Sequence, residues 1–115
     1  MLLKDERVDP SADNNFAIRF ASENGHVPVV QILLEDERVD PTADNNYAIR
    51  LASKNGRIKV VRMLLKDERV DPSTDNNFAI RFASANGHTK IVQMLLKDKR
   101  VDPSAAHCNL LRQQK

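Results

Sequence analysis

The stretch DNNFAIRFASENGHVPVVQILLEDERVDP, residues 13–41, decides how this chain folds, because it occurs three times with few changes. The second copy covers residues 44–72 and the third covers 75–103, so the copies follow each other at a constant period of 31 residues. The end of one more copy, LLKDERVDP, stands at residues 2–10. A fixed period of about 20–50 residues is typical of repeat proteins, in which each unit packs on its neighbours.

Each copy contains two short helical patterns on either side of a glycine. The first pattern, residues 16–23, places apolar side chains on one broad arc of a helical wheel, which indicates an amphipathic helix. We expect this helix to begin at the DNN run, whose side chains can accept hydrogen bonds from the free N–H groups of the first turn. We expect it to end at Asn24 and Gly25, because glycine readily takes the left-handed conformation after a helix. The second helix is expected to begin near Val27 or Pro28, since proline suits a first turn.

The second helix of each unit is apolar over about half of its circumference, which predicts that neighbours cover it from two sides. Its polar positions form one exposed stripe along the helix, made of Pro28, Gln31 and Glu35, then Lys59, Arg62 and Lys66, then Lys90, Gln93 and Lys97. The segment that follows is a loop, because a residue before proline disfavours the helical conformation. One valine in each loop is predicted to anchor it in the stack: Val8, Val39, Val70 and Val101. Two helices of about nine residues cannot bury both faces alone, so we predict a solenoid of stacked antiparallel helix pairs.

The segment AIRFASENGHVPVVQILLEDERVDP, from Ala17, resembles the ankyrin repeat, whose signature T-P-L-H-x-A-A-x-x-G-H is followed by x-x-V-V-x-L-L-L. The positions that match or replace signature residues are Ala17, Ile18, Arg19, Ala21, Ser22, Gly25, His26, Val29 and Val30. The period of 31 residues is shorter than the usual period of about 33, and the missing residues fall in the loop. The resemblance therefore implies an all-α ankyrin-like fold with short loops and little or no β-hairpin. The sequence of the units looks like that of the degenerate ankyrin arrays of amoebae and large DNA viruses.

We expect a single ankyrin-like repeat domain over residues 1–115. Its expected parts are a partial repeat and loop at 1–12, full units at 13–43, 44–74 and 75–104, and a degenerate C-terminal cap helix at 105–115. In that tail, Leu111 and Arg112 keep the register of the repeat. Because the chain begins within a unit, the first helix pair is expected to expose apolar surface, from Phe20, Ile18 or Val30. Such a patch favours pairing with a second copy.

Composition and charge exclude several function classes. The formal net charge is +2, which is too small for a dedicated nucleic-acid binder. The single cysteine, Cys108, cannot form an internal disulfide, and no apolar run is long enough to span a membrane. We therefore expect an intracellular, cytoplasmic protein with no membrane segment and no nucleic-acid partner. The cations Arg57, Lys59, Arg62, Lys66, Lys90 and Lys97 could attract nucleic acid or an acidic membrane, but a solvated helix face is the favoured interpretation.

Nothing in the sequence predicts catalysis. The only glycines are Gly25, Gly56 and Gly87, so there is no glycine-rich phosphate loop. His26, His88 and His107 lack further ligands at metal-binding spacing. We therefore expect no enzymatic activity, no metal and no cofactor.

An arginine recurs at the same position of every unit, as Arg19, Arg50 and Arg81. A row of arginines could bind acidic or phosphorylated segments. The alternative is structural: each guanidinium bonds to an aspartate or to loop carbonyls. We favour the structural interpretation.

An aromatic residue recurs three positions before each arginine, as Phe16, Tyr47 and Phe78. These rings could anchor a partner, since aromatic residues dominate binding hot spots, or they could belong to the core. The core is favoured for both phenylalanines, whereas Tyr47 fits either interpretation. The residues predicted to contact a partner are Asn15, Phe16, Glu23, Asn46, Tyr47, Lys54, Asn77 and Phe78. The resemblance implies a non-catalytic scaffold for protein–protein interaction; the alternative is a self-assembling, engineered or fragment array without a dedicated ligand.

Overall fold

The computed structural model describes residues 9–106 and places six bounded helices in them. They are α1 (Ala12–Asn24), α2 (Val27–Leu34), α3 (Ala43–Lys54), α4 (Ile58–Leu65), α5 (Thr74–Ala85) and α6 (Thr89–Leu96). Residues 103–106 are helical as well. No strand occurs between residues 9 and 106, which agrees with the expected loss of the β-hairpin.

The helices pair into three layers that stack along one axis. Layer one is α1 with α2, layer two is α3 with α4, and layer three is α5 with α6. The first helices pack side by side in the order α1, α3, α5, which we call the first-helix row, and the second helices α2, α4, α6 form the second-helix row. The molecule measures 53 × 21 × 21 Å. The predicted all-α solenoid of helix pairs is confirmed.

Each first helix ends as predicted, at a glycine in the left-handed conformation. Gly25 has φ +74° and donates its N–H to the Ser22 carbonyl, while the N–H of His26 donates to the Ala21 carbonyl at 2.9 Å. This pair of bonds is the Schellman arrangement, and it recurs around Gly56 and Gly87. The second helix then starts at once, and α2 begins at Val27 with Pro28 in its first turn, as expected.

The DNN runs differ from the prediction. Asp13, Asn14 and Asn15 have φ between 56° and 60°, so they form a short left-handed turn before the right-handed helix resumes at Phe16. The same conformation occurs in the runs of α3 and α5. The predicted side-chain cap was wrong, because the N-cap residues Ser11, Thr42 and Ser73 make no side-chain capping bond and the last asparagine of each DNN run accepts a hydrogen bond from the following loop instead. Asp and Asn are the non-glycine residues that tolerate this conformation best.

The core runs through all three layers. The loop anchors Val39, Val70 and Val101 are buried, as predicted. In α4, which has a layer on each side, the residues Val60 and Val61 are fully buried, so the expected cover from two sides is present there.

Layer one exposes a different set of apolar residues from the one predicted. Phe20 is exposed, as expected, but Ile18 and Val30 are fully buried, so that part of the prediction was wrong. Val29 is the exposed residue instead, at 46%, whereas its counterparts Val60 and Ile91 are fully buried against a preceding layer.

Several predicted features lie outside the described residues. These are the anchor Val8, most of the partial repeat at 1–12, His107, Cys108, and all but residues 105 and 106 of the tail helix with Leu111 and Arg112. Between residues 9 and 106, every helix is too short or too polar to cross a lipid bilayer.

Candidate partner-binding surface

The arginine row stabilises the left-handed turns. Arg19 donates from Nε to the Asn14 carbonyl and from Nη2 to the Asp13 carbonyl, both at 3.0 Å. Arg50 and Arg81 make the same two bonds in their own layers. A left-handed turn leaves these carbonyls without helical partners, so the planar fork supplies the missing donors. These contacts support the structural interpretation of the arginines.

In Arg19 and Arg50 the remaining guanidinium nitrogen reaches toward the next layer. Arg19 Nη1 lies 4.0 Å from Asp44 Oδ2, and Arg50 Nη1 lies 3.9 Å from Asp75 Oδ2. Both aspartates are about half-exposed, so these long ion pairs contribute little to stability.

Aromatic rings alternate with the arginines along the first-helix row. The Arg19 guanidinium lies 5.6 Å from the centre of the Phe16 ring and 5.4 Å from that of Tyr47. Arg50 lies 5.6 Å from Tyr47 and 5.0 Å from Phe78. Each distance is within the range of a cation–π contact. The result is a continuous strip of rings and guanidinium groups that crosses all three layers.

Two further phenylalanines widen this strip. Phe20 stacks on Phe16 with ring centres 5.5 Å apart, and Phe82 stacks on Phe78 at 4.1 Å. Phe16 is 50% exposed and Phe20 is 49% exposed. The core interpretation was therefore wrong for Phe16, while Phe78 is partly buried. Phe20 and Phe82 were missing from the predicted contact set, although their spacing of four residues from Phe16 and Phe78 places each pair on one helix face. We call Phe16, Phe20, Tyr47, Phe78 and Phe82 the aromatic strip.

Tyr47 is tied to the layer before it. Its hydroxyl donates a hydrogen bond to the Glu23 carboxylate. This bond raises the pKa of Tyr47 above its ordinary value, because only the protonated phenol can donate it; burial and the negative charge of Glu23 add smaller effects in the same direction. The predicted pair Glu23 and Tyr47 thus meets in the structure, at the partly buried edge of the aromatic strip.

The three asparagines predicted to contact a partner lie beneath the loops between layers. Asn15 and Asn46 are buried, and Asn77 is partly buried. The Oδ1 atom of Asn15 accepts the Asp40 N–H at 2.8 Å, Asn46 accepts that of Asp71, and Asn77 accepts that of Asp102. Each asparagine thus holds the loop that leads into the next layer. Their part in partner binding remains a prediction, but their side-chain oxygens are already bonded.

A second joint between layers was not predicted from the sequence. Arg57 Nε donates to the Glu23 carbonyl at 3.0 Å, and a ring nitrogen of His88 lies 2.9 Å from the Lys54 carbonyl. Asn55 and Asn86 donate to the same two carbonyls. The predicted contact residue Lys54 also places its ammonium 5.4 Å from the centre of the Phe82 ring. The recurring residue after each glycine was the available signal, but sequence alone does not show which atoms it reaches.

The loops carry local ion pairs. Arg38 Nη2 lies 2.8 Å from Asp36 Oδ2, and the same pair recurs as Arg69 with Asp67 and Arg100 with Asp98. Hydrogen bonds from these guanidinium groups lower the pKa values of Asp36, Asp67 and Asp98. Between residues 9 and 106 no group of His, Cys, Asp or Glu side chains is arranged to hold a metal ion.

The sequence model of the family described as "Ankyrin repeats (3 copies)" matches residues 1–76 and again residues 18–107. The chain belongs to the ankyrin-repeat family. No curated protein and no solved structure shows significant similarity to it. Ankyrin repeats are in general protein–protein interaction modules, and the family is typically non-enzymatic. In this ankyrin-repeat chain, the short loops leave the aromatic strip of the first-helix row as the candidate surface.

Proposed function

We propose that this ankyrin-repeat chain is a non-catalytic scaffold that binds a protein partner through the aromatic strip. The observation that carries the proposal is the half-exposed, stacked pair of Phe16 and Phe20 at one end of a strip that continues through Tyr47 to Phe78. Exposed aromatic rings cost free energy in water and become favourable contacts when a partner covers them.

The strip is also held rigid, which reduces the entropy lost on binding. Tyr47 lies between Arg19 and Arg50 and is bonded to Glu23. From the predicted contact set, the proposal uses Phe16, Glu23, Tyr47, Lys54 and Phe78 as direct contacts, and it adds Phe20 and Phe82. The asparagines Asn15, Asn46 and Asn77 fix the loops beside the strip.

The unit boundaries are part of the proposal. We treat residues 1–115 as one domain with full units at 13–43, 44–74 and 75–104. The helix pairs support this division, because each unit contains one first helix and one second helix.

The proposal is tested by capturing partners from the source cell with the full chain and with a Phe16→Ser/Phe20→Ser variant. Both rings are half-exposed, so the variant retains the fold. An aromatic hot spot is worth about 2 kcal/mol or more, so we expect the captured partner to bind about thirtyfold more weakly. A Gln31→Ala/Gln93→Ala variant on the second-helix row is the matched control. Equal capture by all three chains would contradict the proposal.

A second candidate function is self-association through the end face of layer one. The exposure of Val29 favours it, because the equivalent residues of layers two and three are fully covered by a neighbouring layer. A second copy seated on α1 and α2 would cover Val29 in the same way. Sedimentation of the full chain over a range of concentrations tests this candidate: a concentration-dependent dimer that a Val29→Lys substitution abolishes supports it, and a monomer throughout rejects it.

A further inference from the structure

The second-helix row carries a concentrated set of exposed cations. They are Lys59, Arg62 and Lys66 on α4 and its C-terminal end, and Lys90 and Lys97 on α6 and its C-terminal end. We call these five residues the basic stripe. All five side chains are exposed, and none of them forms an ion pair within residues 9–106.

The helix geometry gathers these charges on one side of the molecule. On α4 the buried residues are Val60, Val61 and Leu64, so the cations at positions 59, 62 and 66 lie on the opposite, solvent-facing side. They span about 10 Å along the helix at 1.5 Å per residue. Because α4 and α6 pack as neighbours, two such columns stand about 8–10 Å apart.

The fold does not require this charge. At the equivalent positions of layer one stand Pro28, Gln31 and Glu35, and α2 folds as the same eight-residue helix. In addition, Lys59 and Lys90 lie in the first turns of α4 and α6, where a cation opposes the helix dipole. Repetition of the unit therefore does not account for the basic stripe.

We propose that the basic stripe binds an acidic segment of a partner protein, rich in aspartate and glutamate. Charge complementarity selects an anionic occupant, and five cations on two helices, with no ion pair to any residue from 9 to 106, match a segment of a few carboxylates. The stripe lies on the second-helix row, so this contact is separate from the one proposed for the aromatic strip.

Nucleic acid and membrane fit the stripe less well. Binding of single strands relies on aromatic side chains that stack on bases, and α4 and α6 contain no aromatic residue. An amphipathic helix on a membrane inserts an exposed apolar face with aromatic anchors. Here Val61, Leu64 and Leu95 are fully buried in the stack, and the large apolar residues left exposed are Ile58 on α4 and Leu96 on α6, neither of which is aromatic.

The test uses the full chain and a fluorescein-labelled poly-L-glutamate as the probe, followed by fluorescence anisotropy at low salt. We expect binding that weakens as salt is added, because exposed charges are screened. A Lys59→Gln/Arg62→Gln/Lys90→Gln variant should bind about tenfold more weakly, since several small ion-pair contributions are lost together. A Gln31→Arg/Glu35→Lys variant, which extends the stripe to layer one, should bind severalfold more tightly.

The matched control removes the same number of charges from the loops, as Arg38→Gln/Arg69→Gln/Arg100→Gln. An equal loss in this control would show a general effect of net charge and would overturn the proposal. The absence of poly-L-glutamate binding by the unchanged chain would overturn it too. So would stripe-dependent binding of a single-stranded oligonucleotide or of phosphatidylserine vesicles in preference to poly-L-glutamate. A Phe16→Ser/Phe20→Ser chain should bind the probe normally, so a failure here is distinguishable from a failure of the aromatic strip.

Discussion

The hydroxyl of Tyr47 in layer two donates a hydrogen bond to the carboxylate of Glu23 in layer one. This bond joins two layers and raises the pKa of the phenol. Tyr47 is the only tyrosine and the chain has no tryptophan, so its ionisation can be followed directly by ultraviolet absorbance.

We expect Glu23→Gln to lower the pKa of Tyr47 toward the ordinary value of about 10, because the hydrogen bond to the Glu23 carboxylate is the main cause of the raised pKa. The raised pKa also determines how the stability of the fold changes with pH. The stability from this bond is present below the pKa of the unfolded chain and is lost as pH rises through the higher value of the folded chain. Glu37→Gln, at an exposed loop position, is the control, and identical phenol titrations in the two variants would contradict the assignment.

Gly56 and Gly87 make a matched pair for measuring the contact between layers. Both have φ +77°, but a Cβ on Gly56 would meet His88 Cε1 at 2.8 Å, while a Cβ on Gly87 has nothing within 4 Å. We expect Gly87→Ala to cost about 1 kcal/mol for the left-handed backbone alone. Gly56→Ala should cost more, because His88 must also move.

Urea denaturation of both glycine variants measures the two free energies of unfolding. The added cost at Gly56 should shrink when His88→Ala is combined with Gly56→Ala, which a double-mutant cycle isolates. Equal losses for Gly56→Ala and Gly87→Ala would mean that His88 does not press on the glycine.

At Ser53 the residue present makes the fold less stable than it could be. It is fully buried, and its Oγ has no hydrogen-bond partner in the described part of the chain. We expect Ser53→Ala to stabilise the fold by about 0.5–1 kcal/mol, because an unbonded hydroxyl no longer has to be removed from water. Ala52→Ser, which buries one more hydroxyl beside it, is the opposite control. A loss of stability on Ser53→Ala, measured by urea denaturation, would show that the hydroxyl is bonded.

The loop ion pairs predict a specific response to acid. Hydrogen bonds from Arg38, Arg69 and Arg100 lower the pKa values of Asp36, Asp67 and Asp98, so this stability is present above the unfolded pKa of about 4 and is lost as pH falls through the lower folded values. An Arg38→Gln/Arg69→Gln/Arg100→Gln variant should be less stable at neutral pH and less sensitive to acid. The Lys59→Gln/Arg62→Gln/Lys90→Gln chain loses the same charge and should keep the acid response, as read from urea midpoints over a pH series.

The period and the helix pattern were sufficient to predict the architecture. The constant spacing identified the stack, the glycines marked the ends of the first helices, and Pro28 marked the start of a second helix. The valines were correctly placed in the core because a lone apolar residue in a polar loop has few other uses. These features depend on local chemistry, which one sequence shows directly.

The DNN run was predicted incorrectly because the same residues suit two conformations. Asp and Asn are good helix caps, and they also tolerate positive φ. The choice depends on Arg19, whose two hydrogen bonds to the Asp13 and Asn14 carbonyls support the left-handed turn. A contact of this kind between positions five and six residues apart leaves no periodic signal. The exposure of Phe16 and Val29 could not be predicted either, because it depends on which neighbours cover each layer.

Two sets of joints between neighbouring units end on main-chain atoms: Arg57 and His88 reach carbonyl oxygens, and Asn15 receives a backbone N–H. A main-chain atom is the same whichever side chain it carries. A gene that gains or loses one 31-residue copy would therefore still encode a continuous rod in which these main-chain joints can form. Growth by duplication can lengthen such a protein without any compensating change elsewhere, which leaves the outward-facing positions of each copy free to diverge.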